Sequence, residues 1–393
     1  MRIVVFQGQS NYDVLRDLSR FTADGFRQWG HDVFLCDMNW VNGLDYIRAV
    51  HEFKPDFTLG YNPICYWFNG RTHFEATGIP HFVQLGDSPF YHVTERALTE
   101  PDHPLVYTLL NETSFLQQMK EIGVKNFRRV KTYQAVSAFK ESNHNYRSFP
   151  IVFFGSLFPY EAEIKNIQSI FDGQLRDILL EFLSFLPEWM NHNGVFLPVP
   201  IDQFFNSCVD MKLEDQYRFD FMKMIYPFID RYYRYYTRSF VLEQFAKSGL
   251  PLMVFGDEHT KTLLSEYPNV KVFSPVPFRE CLEIYAQSKI VLNISPSFFY
   301  AHERISQSMI NGAVLCSSLA PDLIEEIPEL LETSLFYTWG NIGEVIESAA
   351  QVLNNESQRQ EMADRGRILA KQHFSPMKYA DEVLSIYKDI YLQ

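Results

Sequence analysis

Short β-branched runs alternate with helical patterns along most of this chain, and that alternation restricts its fold more than any single motif does. The run "RIVVF" at residues 2–6 is followed by apolar residues at helical spacing over 12–30, and a second run, "HDVFLCDM", comes next. A β-α-β order predicts a parallel sheet with helices on both faces. Because the pattern continues through "HPLVYTLL" and "NFRRVKTYQAV", residues 1–150 are predicted to form one Rossmann-like α/β domain.

The second half begins with a buried-type strand, "IVFFGS", and then departs from alternation. Residues from about 161 to 245 are helical in pattern, after which strands and helices alternate again through "LPLMVFGDE", "NVKVF", "KIVLNIS" and "AVLCSS". We therefore expect a second Rossmann-like domain at residues 151–375 that carries a helical insertion at about 161–245. The polar stretch 137–150 is the expected connection between the two domains.

Length, charge and cysteine content exclude several classes of protein. A chain of 393 residues exceeds the roughly 250–300 at which single cores stop growing, which favours two domains. The net charge of −13 argues against a nucleic-acid-binding protein, since broad binding to phosphates needs a basic surface. The cysteines show no Cys-x-x-Cys spacing, so we expect reduced, mostly buried thiols in a cytoplasmic protein. They are Cys36, Cys65, Cys208, Cys281 and Cys316.

The sequence also predicts neither a signal peptide nor a membrane-spanning helix. The opening "MRIVVFQGQS" has too few apolar residues for a signal-peptide core, and no later run reaches the roughly 18 that a spanning helix needs.

The stretch "HERISQSMING" predicts a short helix with a polar front end. The helix is expected to begin at Glu303 and to end before Gly312, a residue suited to a left-handed C-terminal cap. At about 100° per residue, one polar arc opposes an apolar side that packs on the sheet. The arc contains Glu303, Arg304, Gln307, Ser308 and Asn311, and the apolar side contains Ile305, Met309 and Ile310.

This polar arc is expected to face outward at the C-terminal edge of a parallel sheet, where ligands of open α/β sheets bind. Free backbone N–H groups and the helix dipole favour an anion there, and Arg304 adds a fixed charge suited to phosphate. From the residues alone, an ordinary charged surface helix is the open alternative.

The order of these parts resembles the donor-binding domain of the GT-B glycosyltransferases. In those proteins a "G.v....l...y...d..l.pS" passage leads into an "EAM..G.pvv" helix, and here "VFGDE" and "VKVFSPVPFRECLEIYAQSKIVLNISPS" lead into the helix and "GAVLCSS". More closely, "HERISQSMINGAVLCSS" is similar to the "RvFEamacGa.llt" signature of the spore-maturation, CgeB-like glycosyltransferases. The segments "FVQLGDSPFYH" and "IVFFGSLFPYEAE" are similar to that family's "w..DdPF" and "v.FvGs.y..R", in the same order.

This resemblance implies two Rossmann-like domains that face each other across a cleft, with a last helix at 376–393 crossing back to the first domain. It implies transfer of a sugar from a nucleotide-sugar donor to a glycan, lipid-linked or protein acceptor, and a lipid-linked acceptor would bring peripheral membrane contact. The C-terminal domain would bind the donor and the N-terminal domain the acceptor. The implied donor-binding residues are Gly155, Ser156, Arg238, Pro275, Val276, Pro277, His302, Glu303, Arg304 and Gln307.

The stretch "DRYYRYYTRSF" places Arg231, Arg234 and Arg238 three and four residues apart, on one face of a helix. These arginines could grip a phosphate-bearing lipid or glycan acceptor, or bring Arg238 toward the donor. The alternative is a structural aromatic helix in which arginine stems pack on tyrosine rings. Alternating arginines and aromatic residues are also typical of proteins that bind single-stranded nucleic acid, but the negative net charge of the chain disfavours that function.

Gln307 departs from the resembled pattern. Two residues before Met309, the resembled families place a glutamate that grips the ribose of the donor, often with another glutamate eight residues earlier. Here those positions are Gln307 and Phe299. Glutamine lacks the charge that strengthens a hydroxyl contact. Two alternatives therefore stay open: a catalytically silent nucleotide-sugar-binding or scaffold protein, and a GT-B-shaped sugar-nucleotide epimerase.

The chemistry of sugar transfer narrows the candidate catalytic groups. No two aspartates lie two residues apart, so we expect a metal-independent site in which the helix N-terminus and Arg304 stabilise the leaving diphosphate. His302 is the first candidate for a contact with the pyrophosphate or the sugar, and a solvated loop histidine is the alternative.

A general base, needed if the reaction inverts the anomeric centre, is expected from the N-terminal domain. Asp87 in "LGDSPF" is the candidate and Asp13 the reserve, although either could merely cap a turn. The Gly8 loop, "QGQSN", lies on the acceptor side and lacks the G-x-G-x-x-G fingerprint, so no dinucleotide cofactor is expected.

Overall fold

The computed structural model describes residues 1–8, 10–38, 43–62, 67–68, 71–92, 103–132, 134–138, 147–192, 201–209, 215–295 and 299–392. They form two compact units, each built on its own six-stranded sheet. Unit 1 comprises Met1–Val136, Pro277–Arg279 and Ala370–Gln393. Unit 2 comprises Ser137–Val276 and Glu280–Leu369.

The strands are β1 Arg2–Gln7, β2 Asp32–Asp37, β3 Phe57–Tyr61, β4 Trp67–Phe68, β5 Arg71–Thr72, β6 His81–Leu85, β7 Val106–Leu110, β8 Phe127–Arg129, β9 Phe149–Phe154, β10 Leu252–Phe255, β11 Val270–Phe273, β12 Ser288–Asn293, β13 Val314–Ser318 and β14 Ser334–Tyr337. The α-helices are α1 Val14–Gln28, α2 Gly43–Phe53, α3 His73–Thr77, α4 Thr113–Ile122, α5 Glu161–Ile170, α6 Gly173–His192, α7 Ile201–Cys208, α8 Asp215–Lys247, α9 Glu258–Leu263, α10 Phe278–Ala286, α11 Glu303–Ile310, α12 Pro321–Glu326, α13 Leu330–Thr333, α14 Ile342–Asn354, α15 Glu356–His373 and α16 Pro376–Tyr391. Asn11–Asp13 and Pro89–Tyr91 are short 3₁₀ helices.

The sheet of unit 1 is parallel throughout, in the order β2-β1-β3-β6-β7-β8. In the central register, Val4 pairs with Phe34 of β2 and with Thr58 of β3. Every residue of β1 from Ile3 to Phe6 is fully buried, which is typical of a parallel strand covered by helices on both faces. Burial of each such side chain contributes about 1.5–3 kcal/mol to stability.

The C-terminal helix α16 packs on α1 within unit 1. A Cβ atom at Gly25 would lie only 2.2 Å from the carbonyl oxygen of Pro376, so the two backbones approach closely at this point. The indole of Trp29 donates a hydrogen bond to the carbonyl of Met377 at 2.8 Å. The hydroxyl of Tyr379 donates to Oε1 of the buried Gln84 at 2.8 Å. These contacts fix α16 to both α1 and the sheet.

A buried histidine pair lies beneath β3 in unit 1. Nε2 of His73 and Nδ1 of His81 lie 2.7 and 2.8 Å from the hydroxyl of Thr58. Both imidazoles are shielded from solvent. Burial holds the pKa of His73 well below its usual value and lowers that of His81 to about 3. Both side chains are therefore neutral at physiological pH.

The sheet of unit 2 is also parallel, in the order β11-β10-β9-β12-β13-β14. Its central strand β9 is bounded by β10 and β12, with Phe153 opposite Val254 and Leu292. Between β9 and β10 the chain forms α5 to α8, of which α8 is a helix of 33 residues. These helices pack on one another through buried rings, including Phe182 against Phe205 at a centroid distance of 4.9 Å.

The two parallel sheets with their helices confirm the predicted α/β class and its helical insertion. The described contacts divide the chain after Val136, and it returns to unit 1 at Ala370. No helix in the described ranges is long and apolar enough to cross a membrane. Of the cysteines, Cys36, Cys281 and Cys316 are buried, Cys208 is exposed, and all four are free. Cys65 lies outside the described residues.

Candidate functional site

Helix α11 follows β12 at the C-terminal end of the unit 2 sheet. Its N-cap is His302, whose extended backbone starts the first turn. At the other end Gly312 adopts a φ of +74°, the left-handed conformation that the sequence predicts for this position. The N-terminus of α11 therefore lies at the carboxyl edge of the sheet.

Two arginines meet the loop that follows β9. Nη1 of Arg238, from α8, donates to the carbonyl of Ser156 at 3.2 Å. A Cβ atom at Gly155 would lie 3.9 Å from Nη2 of Arg304, and only 2.9 Å from the ring of the buried Phe153. The lack of a side chain at Gly155 therefore avoids a clash with the Phe153 ring, and the Arg304 guanidinium lies close to this point of the loop. The structure brings Gly155, Ser156, Arg238 and Arg304 together.

The electrostatics around these arginines favour an anion. Burial, followed by the charges of Arg304 and Arg234, lowers the pKa of Arg238 to about 9, which leaves it protonated at neutral pH. Among the described residues, Nε of Arg238 and Nη1 of Arg304 are buried and have no hydrogen-bond partner. A buried donor without a partner is costly, and phosphate oxygens would satisfy both donors.

His302 and Glu303 form a second element of the site. Nδ1 of His302 lies 2.9 Å from Oε2 of Glu303 and 3.3 Å from the backbone nitrogen of Arg304. His302 and Arg304 lower the pKa of Glu303 to about 2 against the opposing effect of burial. Burial lowers the pKa of His302, so at neutral pH a neutral imidazole faces a carboxylate.

One Nδ1 atom of a neutral imidazole cannot serve both neighbours. The shorter contact is to the charged carboxylate, so we place the hydrogen on Nδ1 of His302, where it donates to Glu303. This tautomer leaves Nε2 as the acceptor of the ring. Since only 12% of the His302 side chain is exposed, the alternative of a solvated loop histidine is wrong.

The three arginines on one face of α8 have different partners. Arg231 forms a bidentate ion pair with Glu163 of α5, at 2.9 and 3.0 Å. Arg234 pairs with Asp230 at 2.8 Å. Arg231 also stacks its guanidinium over the ring of Phe228 at 5.1 Å. Arg231 therefore fits the structural alternative, and Arg238 is the member of the set that reaches Ser156.

The polar arc of α11 does not face outward, and that expectation is wrong. Gln307 and Ser308 have no exposed surface, and Asn311 is 1% exposed. Asn311 turns its side chain back onto the helix, donating to the carbonyl of Gln307 at 2.8 Å and accepting from the backbone N–H of Ala138 at 2.7 Å. At Asn311 the segment that contains Ala138 covers the arc, a contact that helical periodicity does not reveal.

Arg147 fixes the rear of α11, a role that the sequence did not reveal. Its guanidinium donates to the carbonyls of Asn311, Ser288 and Tyr285 at 3.2, 2.8 and 3.3 Å. Asn311 and Tyr285 lie at the C-terminal ends of α11 and α10, where the helix dipole favours a cation. In front of α11, the carbonyl of Phe299 accepts from the first backbone N–H groups of α12.

The remaining donor-side candidates, Pro275, Val276 and Pro277, follow β11 directly before α10. Of the contacts that the structure describes there, the Cys281 thiol lies 3.9 Å from the carbonyl of Val276. Burial raises the pKa of Cys281 to about 12 despite the nearby charge of Arg304, so this thiol is not a nucleophile. Its position near Arg304 is not visible in the sequence.

The acceptor-side candidates lie at the carboxyl edge of the unit 1 sheet. Asp87 follows β6 and accepts a hydrogen bond from Nδ2 of Asn62 at 3.3 Å, while Oδ1 of Asn62 accepts from the N–H of Gly86. Gly8 is buried directly after β1. Asp13 is exposed, adopts a φ of +61° and lies 3.7 Å from Nε of Arg16. Within the described ranges, no group of three or more His, Cys, Asp or Glu residues could hold a metal ion.

Comparison with known proteins gives one matching family and several solved structures with the same fold. Residues 237–385, which include Arg238 and all of α11, match the family model described as Glycosyl transferase-like. No curated protein matches the sequence of this chain.

Solved structures share the fold at low sequence identity. An alpha-glucosyltransferase in complex with UDP-glucose and DNA containing an abasic site has a TM-score of 0.55 and 8% identity, over 98% of this chain and 99% of that one. T4 phage BGT in complex with UDP and Mn²⁺ has a TM-score of 0.52 and 13% identity, over 100% of both chains. Anabaena HepE in complex with UDP and glucose has a TM-score of 0.51 and 10% identity, over 99% of this chain and 100% of that one. The match to a glycosyltransferase-like family thus covers residues 237–385, and the solved structures show that the chain has the GT-B fold.

Proposed function

We propose that this protein transfers a sugar from a nucleotide-sugar donor to a glycan, lipid-linked or protein acceptor, and that unit 2 binds the donor. The observation that carries the proposal is the pair of guanidinium groups of Arg238 and Arg304, each with a buried N–H that has no partner among the described residues. A diphosphate supplies both the negative charge and the acceptor oxygens that this pair lacks.

In the proposed reaction these two guanidinium groups stabilise the leaving nucleoside diphosphate. An acceptor hydroxyl oxygen attacks the anomeric carbon, the bond from that carbon to the diphosphate breaks, and the nucleoside diphosphate leaves with the bonding electrons. Negative charge grows on the leaving oxygen, where fixed guanidinium groups and the N-terminus of α11 stabilise it. The hydroxyl proton passes to a base if the configuration inverts.

The neighbouring residues would orient the donor. The Glu303 carboxylate fixes the His302 ring, so that Nε2 can accept from a sugar hydroxyl or lie beside the pyrophosphate. Gly155 allows the diphosphate to approach the loop closely, and Ser156 holds Arg238 in place. We also propose donor contacts for Gln307 and the Pro275–Pro277 segment, which correspond to donor contacts in the resembled families.

Unit 1 would bind the acceptor. We propose Asp87 as the general base of an inverting reaction and Asp13 as the reserve. The hydrogen bond from Asn62 orients the Asp87 carboxylate after β6, and Gly8 lies at the same carboxyl edge of the parallel sheet. The alpha-glucosyltransferase that shares the fold forms a complex with DNA, but the net charge of −13 favours an acceptor other than nucleic acid for this chain.

We propose that donor binding needs no metal, because two guanidinium groups supply the charge that a divalent cation supplies elsewhere. The closer relationship to CgeB-like glycosyltransferases is also a proposal. It is supported by "HERISQSMINGAVLCSS", which lies inside the matched residues 237–385.

A thermal-shift screen of nucleotide sugars, UDP, GDP and pyrophosphate tests the proposal, each with EDTA and with Mn²⁺. Hits are then assayed for donor hydrolysis and for transfer to glycan and lipid-linked acceptors. We expect at least one nucleotide sugar to raise the melting temperature in EDTA and to be turned over. Binding without turnover would support the catalytically silent alternative, and conversion of the donor into an epimer would support the epimerase. Failure of every nucleotide and of pyrophosphate to bind would end the donor-site proposal.

A further inference from the structure

An aromatic pair lies beside the two arginines. The ring of Phe158 and the ring of Tyr235, on α8, have centroids 5.2 Å apart and an interplanar angle of 52°. Phe158 is 49% exposed, which is unusual for a phenylalanine, and Tyr235 is half-buried. Part of an aromatic surface is therefore open to a ligand.

The loop after β9 contacts both the two arginines and the aromatic pair through successive residues. Gly155 lies next to the Arg304 guanidinium, the carbonyl of Ser156 accepts from Arg238, and Phe158 contacts Tyr235. Since two residues span at most about 7 Å of chain, the aromatic pair begins within one nucleotide's reach of the guanidinium groups. Tyr235 also lies one helical turn before Arg238 on α8.

The scaffold beneath the pair is fixed. Tyr160, two residues beyond Phe158, packs edge-on against Tyr232 and Tyr236 with centroids 5.5 and 5.2 Å away. The bidentate Arg231–Glu163 ion pair ties the start of α5 to the same helix. Because α8 and the loop are joined on both sides of Phe158, the rings are held in place before a ligand arrives, which reduces the entropy lost on binding.

We propose that Phe158 and Tyr235 stack against the nucleobase of the ligand whose diphosphate binds Arg238 and Arg304. This inference rests on the proposed function and adds the site that recognises the base. Every nucleobase is planar and can stack on an aromatic side chain. The pair therefore favours a nucleoside diphosphate over bare diphosphate but does not determine which base is bound. The guanidinium groups at one end and the rings at the other match a nucleoside diphosphate.

A prenyl diphosphate is the competing ligand, because it also joins an apolar group to a diphosphate. The structure favours the base: the exposed apolar surface at the pair is two rings bordered by arginines, whereas a long aliphatic chain needs an extended apolar groove. Farnesyl diphosphate therefore belongs in the experiment as the alternative occupant.

The test compares ligands and variants by isothermal titration of the full chain with UDP, GDP, pyrophosphate and farnesyl diphosphate. Phe158→Ala removes a ring, and Phe158→Trp is the matched control that keeps one. We expect UDP and GDP to bind the wild type more tightly than pyrophosphate does. Phe158→Ala should weaken both nucleotides about five- to tenfold and leave pyrophosphate affinity unchanged, and Phe158→Trp should retain nucleotide affinity.

Each other outcome has a defined meaning. Equal losses for UDP and pyrophosphate in Phe158→Ala, or no loss for either nucleotide, would overturn the stacking site while the anion site stands. A larger loss for farnesyl diphosphate than for UDP would assign the pair to a lipid and overturn the base assignment. A wild-type protein that binds pyrophosphate as tightly as UDP and GDP would overturn it too. If the wild type binds none of these ligands, the proposed function itself fails and the inference fails with it.

Discussion

Nη1 of Arg238 lies 3.2 Å from the carbonyl oxygen of Ser156, so a helix inserted between β9 and β10 delivers a guanidinium to the loop after β9. That loop, "GSLFPY" at residues 155–160, contains no lysine or arginine of its own. The charge at this edge of the sheet therefore comes from α8 on one side and from Arg304 of α11 on the other. The helical insertion is part of the proposed donor site as well as of the core.

Gly25→Ala should destabilise unit 1. Its new Cβ would lie 2.2 Å from the carbonyl oxygen of Pro376, and backbone atoms cannot rotate away as a side chain can. We expect a loss of about 1–3 kcal/mol, seen as a lower melting temperature in scanning calorimetry. Gly343→Ala in α14 is the matched control, since no atom lies within 4 Å of its Cβ. It should be neutral or gain up to about 1 kcal/mol from helix propensity. Similar melting temperatures for the two variants would refute the close approach of α1 and α16.

The buried histidine pair should make stability fall below about pH 6.5. The unfolded chain binds protons there that neutral His73 and His81 do not, because their folded pKa values are lowered. The stability that each neutral histidine contributes is fully present above the pKa of the unfolded chain. It is lost as the pH falls toward the folded pKa, with a slope that approaches about 1.4 kcal/mol per pH unit.

His81→Asn tests this effect, because an amide can keep the hydrogen bond to Thr58 but cannot titrate. Between pH 6.5 and 5.5, where carboxyl groups change little, the variant should lose less stability than the wild type. The difference should be about 1 kcal/mol, measured by urea unfolding of the protein followed by tryptophan fluorescence. Identical pH slopes would show that His81 is not buried as the structure has it.

The architecture was largely predictable from the sequence, because its strands are buried on both faces and read as continuous apolar runs. β1, β2, β9 and β12 fall where the runs are, and Gly312 has the left-handed cap because few other residues adopt it. The site was predictable only in part. Arg231 and Arg238 share a helix face but differ in their partners, and Glu163 and Ser156 lie about 70–80 residues away in sequence.

The burial of Gln307 shows the same limit. Helical periodicity places it opposite Met309, on a face that any amphipathic helix would expose. Gln307 is nevertheless fully buried in the folded chain, and periodicity carries no information about tertiary contacts.

Gln307→Glu should therefore destabilise the protein in a pH-dependent way. The position has no exposed surface, so an ionised carboxylate there would cost about 3–5 kcal/mol unless a ligand hydroxyl or a proton compensates it. Burial raises a carboxyl pKa, so the variant should be less stable at pH 8 than at pH 5.5 relative to the wild type. Gln307→Met, which is neutral and similar in length, should show a smaller loss without pH dependence.

Nucleotide addition separates the two roles of Gln307 in the same calorimetric experiment. If the side chain reaches the ribose of the donor, UDP should raise the melting temperature of Gln307→Glu by more than it raises that of the wild type. An equal shift in both proteins would show that Gln307 has a structural role only and does not contact the donor.

The central claim is that Arg238 and Arg304 bind the diphosphate of the donor, and the most direct measurement is UDP affinity by isothermal titration in four proteins. These are the wild type, Arg238→Gln, Arg304→Gln and the control Lys247→Gln, whose exposed ammonium pairs with Glu243 in the last turn of α8. Removing one charge-assisted contact should weaken UDP about ten- to a hundredfold in the first two variants and hardly at all in the control. Equal UDP affinity in all four proteins would contradict the account.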